Sequence, residues 1–476
     1  MALLEAKVCF SCFLNGDCMT KRVAPVKKND TVTLTINDIG NEGQGIGKFE
    51  GYTLFVDGAL PGETVEATVI KVGKNFGIGK LSQVITPSED RIEPTCPIAR
   101  QCGGCSLQHL SYEGQLAFKQ NKVKQLLQRV GKVEDVEVPP TIGMDEPWHY
   151  RNKVQFPVRN VNGAIKIGYY AKRSHRIVET DICYIQDRRN EAIREILLTW
   201  MEKHNISAYH EESNKGIVRH LVTRHSYETG KMHVTLVINA RRLNFVENLI
   251  EALAKCGYVS GFGLNINREQ TNVILGKRMM HLYGDTFIED SIDGVRFHMS
   301  PLSFFQVNPV QTQKLYGKAL EFADLSGDET VLDLYSGIGS ISLFLAQKAK
   351  KVIGVEVVPE AVENARHNAT INEITNTEFY VGRAEEVVPR LFKNDGVRAD
   401  VVVVDPPRKG CDEELLKTIV EIGPKKLVYV SCDPGTLARD ILYLTEHGFK
   451  LEKVQPIDMF PHSTHVECCS LLTRTV

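Results

Sequence analysis

The chain has 476 residues, enough for two to four domains. Its 42% hydrophobic and 24% charged residues are those of an ordinary soluble globular protein, and no run of about 18 apolar residues is present to cross a membrane. The formal net charge, 57 − 59 = −2, excludes a binder that works through bulk positive charge, so basic character has to be sought locally. No basic n-region with a sustained apolar run opens the chain, so a cytoplasmic protein is expected. Thiols stay reduced there, and the 12 cysteines read as ligands, nucleophiles or core residues rather than disulfides. A monomer is expected.

Residues 1–29 read as a flexible tail. Cys9, Cys12 and Cys18 in "CFSCFLNGDC" fit either a small metal knuckle or a plain unstructured segment, and Met19 is a plausible start in its own right. From Asp30 the pattern changes to period two. Val32, Leu34 and Ile36 alternate with threonines in a half-buried strand. "NEGQGIGKFEG" reads as a glycine-rich turn region, and further strands follow on either side of Pro61-Gly62 and in "NFGIGKLSQVI". Short strands at this density predict a small β-barrel over 30–89, either an RNA binder or a spacer.

Residues 90–290 read as a mixed strand and helix region. It opens on "CPIARQCGGC", which places Cys96, Cys102 and Cys105 in a C-x5-C-x2-C spacing. A helix is predicted over 111–131, with Ser111 as cap, Gly131 as stop, and Leu116, Val123, Leu127 and Val130 as its apolar stripe. Residues 149–178 hold seven Lys or Arg and no Asp or Glu, with Tyr150, Phe156, Tyr169 and Tyr170 interleaved. Such a window suits RNA, since cations neutralise phosphates and rings stack on bases. Arg151 and Lys153 are the candidate phosphate contacts. A solvated basic sheet face with its aromatics in the core is the alternative.

From about residue 291 strands and helices alternate, and apolar runs such as Val401–Val404 predict a parallel sheet covered on both faces. "VLDLYSGIGS" ends a strand on Asp333, Gly337 and Gly339, and Glu356 ends the next strand, 23 positions beyond Asp333. An acid there can take the ribose hydroxyls of a nucleoside cofactor. The turn lacks the third glycine of a pyrophosphate-binding loop, so S-adenosylmethionine, which has no phosphate, fits it better than a dinucleotide. Asp405 in "VVVVDPPRKG" and Cys432 in "VYVSCDPG" both follow strands. C5 of a pyrimidine is a poor nucleophile until a thiolate adds to C6, and a base must afterwards remove the C5 proton. Cys432 suits the first task and Glu467, in "PHSTHVECC" with His462 and His465 nearby, the second.

"FFQVNP", "DLYSGIGS", "VVDPPRKG", "SCDPGTLARD" and "MFPHSTHVE" together resemble the RNA uracil-C5 methyltransferases, over about residues 28–476. The resemblance implies a Rossmann-like α/β methyltransferase domain over 291–476, a TRAM-type, OB-like barrel before it, and a central α+β iron–sulfur domain. It implies Cys432 as nucleophile and Glu467 as base. It also implies a donor site of Gln306, Tyr335, Gly337, Gly339, Glu356 and Asp405, with Asp405 also facing the uracil edge and Phe304 sheltering the flipped base. The ribosomal RNA branch holds a [4Fe-4S] cluster on four cysteines. The matching residues here are Cys96, Cys102, Cys105 and Cys183, the last 78 positions beyond Cys105. Four thiolates suit zinc or an iron–sulfur cluster, and the uneven spacing favours the cluster. Because the tRNA branch typically lacks the barrel and these cysteines, 23S ribosomal RNA is the expected substrate. The motifs look most like those of members that methylate two uridines.

Overall fold

The computed structural model describes residues 24–394, 396 and 398–475, without the side chains of 393 and 394. The proposed knuckle of Cys9, Cys12 and Cys18 therefore lies outside the described residues. These fall into two compact units that divide between Arg91 and Ile92.

In the first unit, β1 (Thr31–Ile39), β2 (Gln44–Phe49), β3 (Tyr52–Asp57), β4 (Thr64–Val72) and β5 (Phe76–Thr86) close a barrel in the order β1-β2-β3-β5-β4. Val32, Leu34 and Ile36 point inward as their alternation requires. The barrel core also takes in Val26, ahead of the first strand. The glycine-rich stretch is not a turn alone, for its second half is β2. A Cβ on Gly47 would lie 2.5 Å from the Thr35 carbonyl oxygen, so glycine there lets two strands approach closely rather than breaking one.

The second unit opens on α1 (Tyr112–Arg129), which Ser111 caps by accepting the Gly114 N–H at 3.1 Å. Its buried face is Gln115, Phe118, Lys119, Val123 and Leu127, whereas Val130 at the predicted stripe's end is exposed. β6 (Lys153–Val161), β7 (Ala164–Ile167), β8 (Tyr169–Tyr170), β9 (Ile177–Val178), α2 (Arg189–Lys203), β10 (Val218–His225), β11 (Met232–Ile238), α3 (Val246–Ala254), β12 (Val259–Ile266) and β13 (Arg278–Gly284) follow. Six of these strands form a sheet in the order β13-β12-β11-β10-β6-β7, and α2 and α3 pack on it. The hairpin β14 (Ile288–Ile292) and β15 (Val295–Met299) leads to α4 (Pro309–Ala323).

The rest is strand–helix alternation: β16 (Thr330–Leu334), α5 (Ser340–Ala346), β17 (Lys351–Glu356), α6 (Pro359–Ile371), β18 (Thr377–Val381), α7 (Ala384–Asn394), β19 (Val401–Val404), α8 (Glu413–Ile422), β20 (Lys426–Ser431), α9 (Pro434–Glu446), β21 (Phe449–Ile457) and β22 (Glu467–Arg474). The seven strands order as β18-β17-β16-β19-β20-β22-β21, parallel except for β22, which runs against both of its neighbours. All four valines of β19 are buried, each worth roughly 1.5–3 kcal/mol relative to exposure. The chain reverses direction across the sheet between β16 and β19, the switch point where open α/β sheets bind ligands. α1 packs on α9 and β21 and so lies against this sheet rather than the six-stranded one. Among the described residues no helix is long and apolar enough to cross a membrane.

Candidate active site

Register brings three of the candidate residues to one edge. Val404 pairs with Tyr429 in the parallel ladder, so Asp405 and Cys432 both emerge from carboxyl ends. Ser431 pairs with Cys468 in the antiparallel one, which sets Glu467, first residue of β22, beside Cys432. The charges of Glu467 and Asp405 both act on the Cys432 thiol and, with burial as the larger cause, push it up to about 12. Arg408, in the loop after β19, is the cation that opposes them. Glu467 is 1% exposed and its Oε2 has no hydrogen-bond partner in the protein. Burial, then the Asp405 charge, raises its carboxyl well above the usual range. An uncompensated buried carboxylate of this kind is a stronger base than one in water. Burial raises Asp405 to about 7, with the Asp333 charge adding to it.

The candidate donor residues ring the same edge. Asp333, the last residue but one of β16, is raised to about 6 by burial, and its Oδ1 is unpartnered. Tyr335 follows at φ +74°, a left-handed conformation that a non-glycine residue holds only under constraint. At Gly339, φ is +81° and a Cβ would lie 3.1 Å from Ala365 Cβ and from the Phe379 ring, so glycine is what lets the turn rest on α6. Glu356, ending β17, accepts the Gly337 N–H at 3.1 Å and the Val358 N–H at 2.9 Å. Its carboxylate thus stands between the two loops where a ribose diol would sit. Gln306 and Phe304 arrive from a different segment, the approach to α4. Arg224 donates to Ser303 O at 2.6 Å and Asn152 to Gln306 O at 3.1 Å, so the six-stranded sheet holds this approach in place. Gln306 is buried, while Phe304 is 73% exposed, an apolar ring left in solvent.

The basic window divides. Tyr150 and Phe156 are buried, and Arg159 is buried in an ion pair with Glu211, so these two rings are core residues and not stacking platforms. Lys153 is largely enclosed, and burial with the neighbouring Arg224 and Arg151 charges lowers it to about 7. That environment suits a neutral amine in the interior more than a phosphate contact. Arg151 lines a cavity described next, while Arg173 and Arg176 lie exposed on the surface.

Cys96, Cys102, Cys105 and Cys183 all line one cavity of about 350 Å³, although Cys183 is remote in sequence. Cys102 Sγ accepts the Gly104 N–H at 3.4 Å. Burial raises all four thiols, Cys102 to about 11 and Cys105 to about 12. A pocket of four thiols has the chemistry of a soft-metal ligand set. Among the described residues, no three His, Cys, Asp or Glu side chains come close enough together to hold a single metal ion.

Sequence reasoning passed over Arg408, although "DPPRKG" contained it, and the buried polar residues of α1. Their signal was Gln115 and Lys119 lying on the same helix face as Val123.

The sheet order, the acid that ends β17 and the strand-end positions at the switch point define an S-adenosylmethionine-dependent methyltransferase fold with a small barrel ahead of it. A family profile described as tRNA (Uracil-5-)-methyltransferase matches residues 111–475, and a TRAM domain profile matches 25–82. The chain belongs to this RNA uracil-5-methyltransferase family. It is 50% identical to an "uncharacterized RNA methyltransferase" of Listeria innocua, over 94% of this chain and 98% of that one. A protein of the same description from Clostridium tetani is 51% identical over 95% and 98%. Among solved structures, the Pyrococcus abyssi tRNA (uracil-54, C5)-methyltransferase in complex with S-adenosyl-L-homocysteine aligns with a TM-score of 0.74 and 28% identity, over 93% of this chain and 99% of that one. The protein is an S-adenosylmethionine-dependent RNA methyltransferase.

Proposed function

We propose that the protein methylates C5 of uridine in 23S ribosomal RNA, giving 5-methyluridine. The observation that carries the chemistry is the meeting of a thiol, Cys432, with a buried carboxylate, Glu467, whose Oε2 no other group engages. In the free enzyme burial and two acids keep Cys432 as the thiol. On attack its proton passes to solvent water and sulfur bonds to C6 of the uracil, moving the C5–C6 electron pair into an enolate whose nucleophilic carbon is C5. Bound S-adenosylmethionine supplies the electrophilic methyl group. Glu467 then takes the C5 proton, and the electrons of that C–H bond reform C5–C6 and expel the Cys432 sulfur. Gln306, Tyr335, Gly337, Gly339, Glu356 and Asp405 line the donor side, and Phe304 covers the flipped base.

We further propose a [4Fe-4S] cluster on Cys96, Cys102, Cys105 and Cys183. The four sulfurs around one cavity support it, since four cysteine thiolates are the ligand set that such a cluster takes. The cluster would supply a rigid cross-link between the loop at 96–105 and the segment at Cys183. We also propose a cytoplasmic location, where thiols of this kind stay reduced.

Uridine in tRNA is the second reading, favoured by the Pyrococcus enzyme. Its match leaves only 7% of this chain unaligned, about 33 residues and less than the length of the barrel. The barrel therefore does not by itself separate the two substrates. The ribosomal proposal stands on the motif resemblance. Mapping 5-methyluridine in rRNA and tRNA of a deletion strain decides it: loss from 23S rRNA is expected, and loss from tRNA alone overturns it. For the chemistry, RNA carrying 5-fluorouridine at the target should form a stable adduct with the parent enzyme and none with Cys432→Ala. An adduct in that variant would move the nucleophile elsewhere.

A further inference from the structure

The segment between β21 and β22, Asp458 to Val466, delivers Glu467 to the nucleophile. It has no regular structure, and His462 sits at φ +64°, a conformation that persists only where surroundings over-determine it. The groups that hold it come from outside the sheet that carries it. Gln115 Oε1 accepts the His462 N–H at 2.8 Å. Lys119, fully buried, donates to Phe460 O at 3.0 Å and pairs with Asp458. Lys122 donates to Thr464 O at 2.9 Å. These three lie at i, i+4 and i+7 of α1, one stripe facing the loop. From the cysteine pocket, the amides of Ser106 and Leu107, directly after Cys105, both donate to His462 O, at 2.9 and 3.0 Å.

We propose that Gln115, Lys119 and Lys122 are positioning residues for Glu467, and that the loop after Cys105 shares the task. They fix the path of the base loop, so their contribution falls on removal of the C5 proton and not on donor binding or thiol addition. This rests on Glu467 being the base. The geometry favours it over plain packing. An irregular loop could satisfy its polar groups with water, yet here side chains of α1 and the amides after Cys105 both hydrogen-bond to it within the seven residues before Val466, and one of those side chains is a fully buried lysine. A misplaced carboxylate leaves the methylated uridine attached to Cys432, because expulsion of sulfur waits on the proton.

The test is a single-turnover experiment on total RNA from a deletion strain, which contains the target whichever RNA class it belongs to. Methyl-labelled donor reports transfer, and the denaturation-resistant protein–RNA complex reports release. Lys122→Met and Gln115→Met should slow release tenfold or more while transfer and S-adenosylhomocysteine affinity stay within twofold. Lys122→Arg, which keeps a donor, should restore release. Glu467→Gln is run beside them. If it methylates without accumulating the complex, the base assignment itself falls. If it accumulates the complex and neither α1 variant does, or if transfer and release fall by the same factor in both, the positioning role is overturned. Two variants at separate sites keep the result readable where one of them folds poorly.

Discussion

Asp405→Asn should make the protein more stable and inactive at once. Burial raises the Asp405 carboxyl from its ordinary value near 3.8 to about 7. A raised acid binds its proton more tightly folded than unfolded, so stability falls as pH climbs from about 4 to about 7 and is level above. At pH 8 the ionised group costs about 4 kcal/mol, from a shift of about three units at 1.36 kcal/mol each. Water reaching the partly accessible side chain trims this to about 2–4 kcal/mol. The unit from Ile92 to Val476 spans 476 − 92 + 1 = 385 residues. Its unfolding entropy is roughly 0.8 kcal/mol/K, so Tm should rise by about 3–5 °C. At pH 5 the gain should shrink to less than half. Methyl transfer should fall roughly 100-fold, the loss that follows from its proposed place between donor and uracil. Scanning calorimetry at pH 5 and pH 8, with a methylation assay, checks both arms. A Tm that drops at pH 8, or a gain equal at the two pH values, would refute the reasoning.

Protein purified without oxygen should be brown and carry about four irons, and replacing Cys96, Cys102, Cys105 or Cys183 with Ala should remove both, as elemental analysis will show; one zinc and no iron would overturn the cluster. Cys256→Ala and Cys411→Ala should leave the iron content unchanged. Neutralising Arg151 should flatten the salt dependence of RNA binding by about one unit, whereas Lys153→Met at pH 8 should not, because an amine lowered to about 7 is already mostly neutral there. Lys119→Met should destabilise the protein by about 3–5 kcal/mol in denaturant titrations, because it strands the Asp458 charge in the interior. Phe304→Ala should weaken RNA affinity roughly tenfold, the order of one lost stacking contact, and leave S-adenosylhomocysteine binding unchanged.

Much of this architecture was legible where one force acts alone. The alternation in β1 and the valine run of β19 report burial on one face and on two, and the strand-end positions of Asp405 and Cys432 followed from them. Reading failed where two requirements overlap at one residue. Gly45 and Gly47 signal a turn by propensity, yet they serve the close approach of β2 to its neighbours. The basic window looked like one surface, but residues 156–159 of β6 are buried on both faces of the sheet, Phe156 in its core and Arg159 on the opposite face with Glu211 as its partner from 52 positions away. Lys119 was invisible because a lysine on an apolar helix face makes sense only with Asp458, 339 positions on.

That same ion pair bears on how the enzyme can be taken apart. α1 lies early in the chain but leans on α9 and on the loop before Glu467, so the support of the proposed base is discontinuous in sequence. A fragment cut to begin near residue 291 would keep every strand of the seven-stranded sheet and still lose the partners of Asp458, Phe460 and His462. An engineer seeking a minimal catalyst should therefore graft the stretch from Ser106 to Trp148 onto the sheet as a brace, or replace it with a designed helix that offers a lysine at the same depth. A swap of RNA-recognition parts between relatives would have to leave that brace with the methyltransferase half, because exchanging it would change the loop that carries the base.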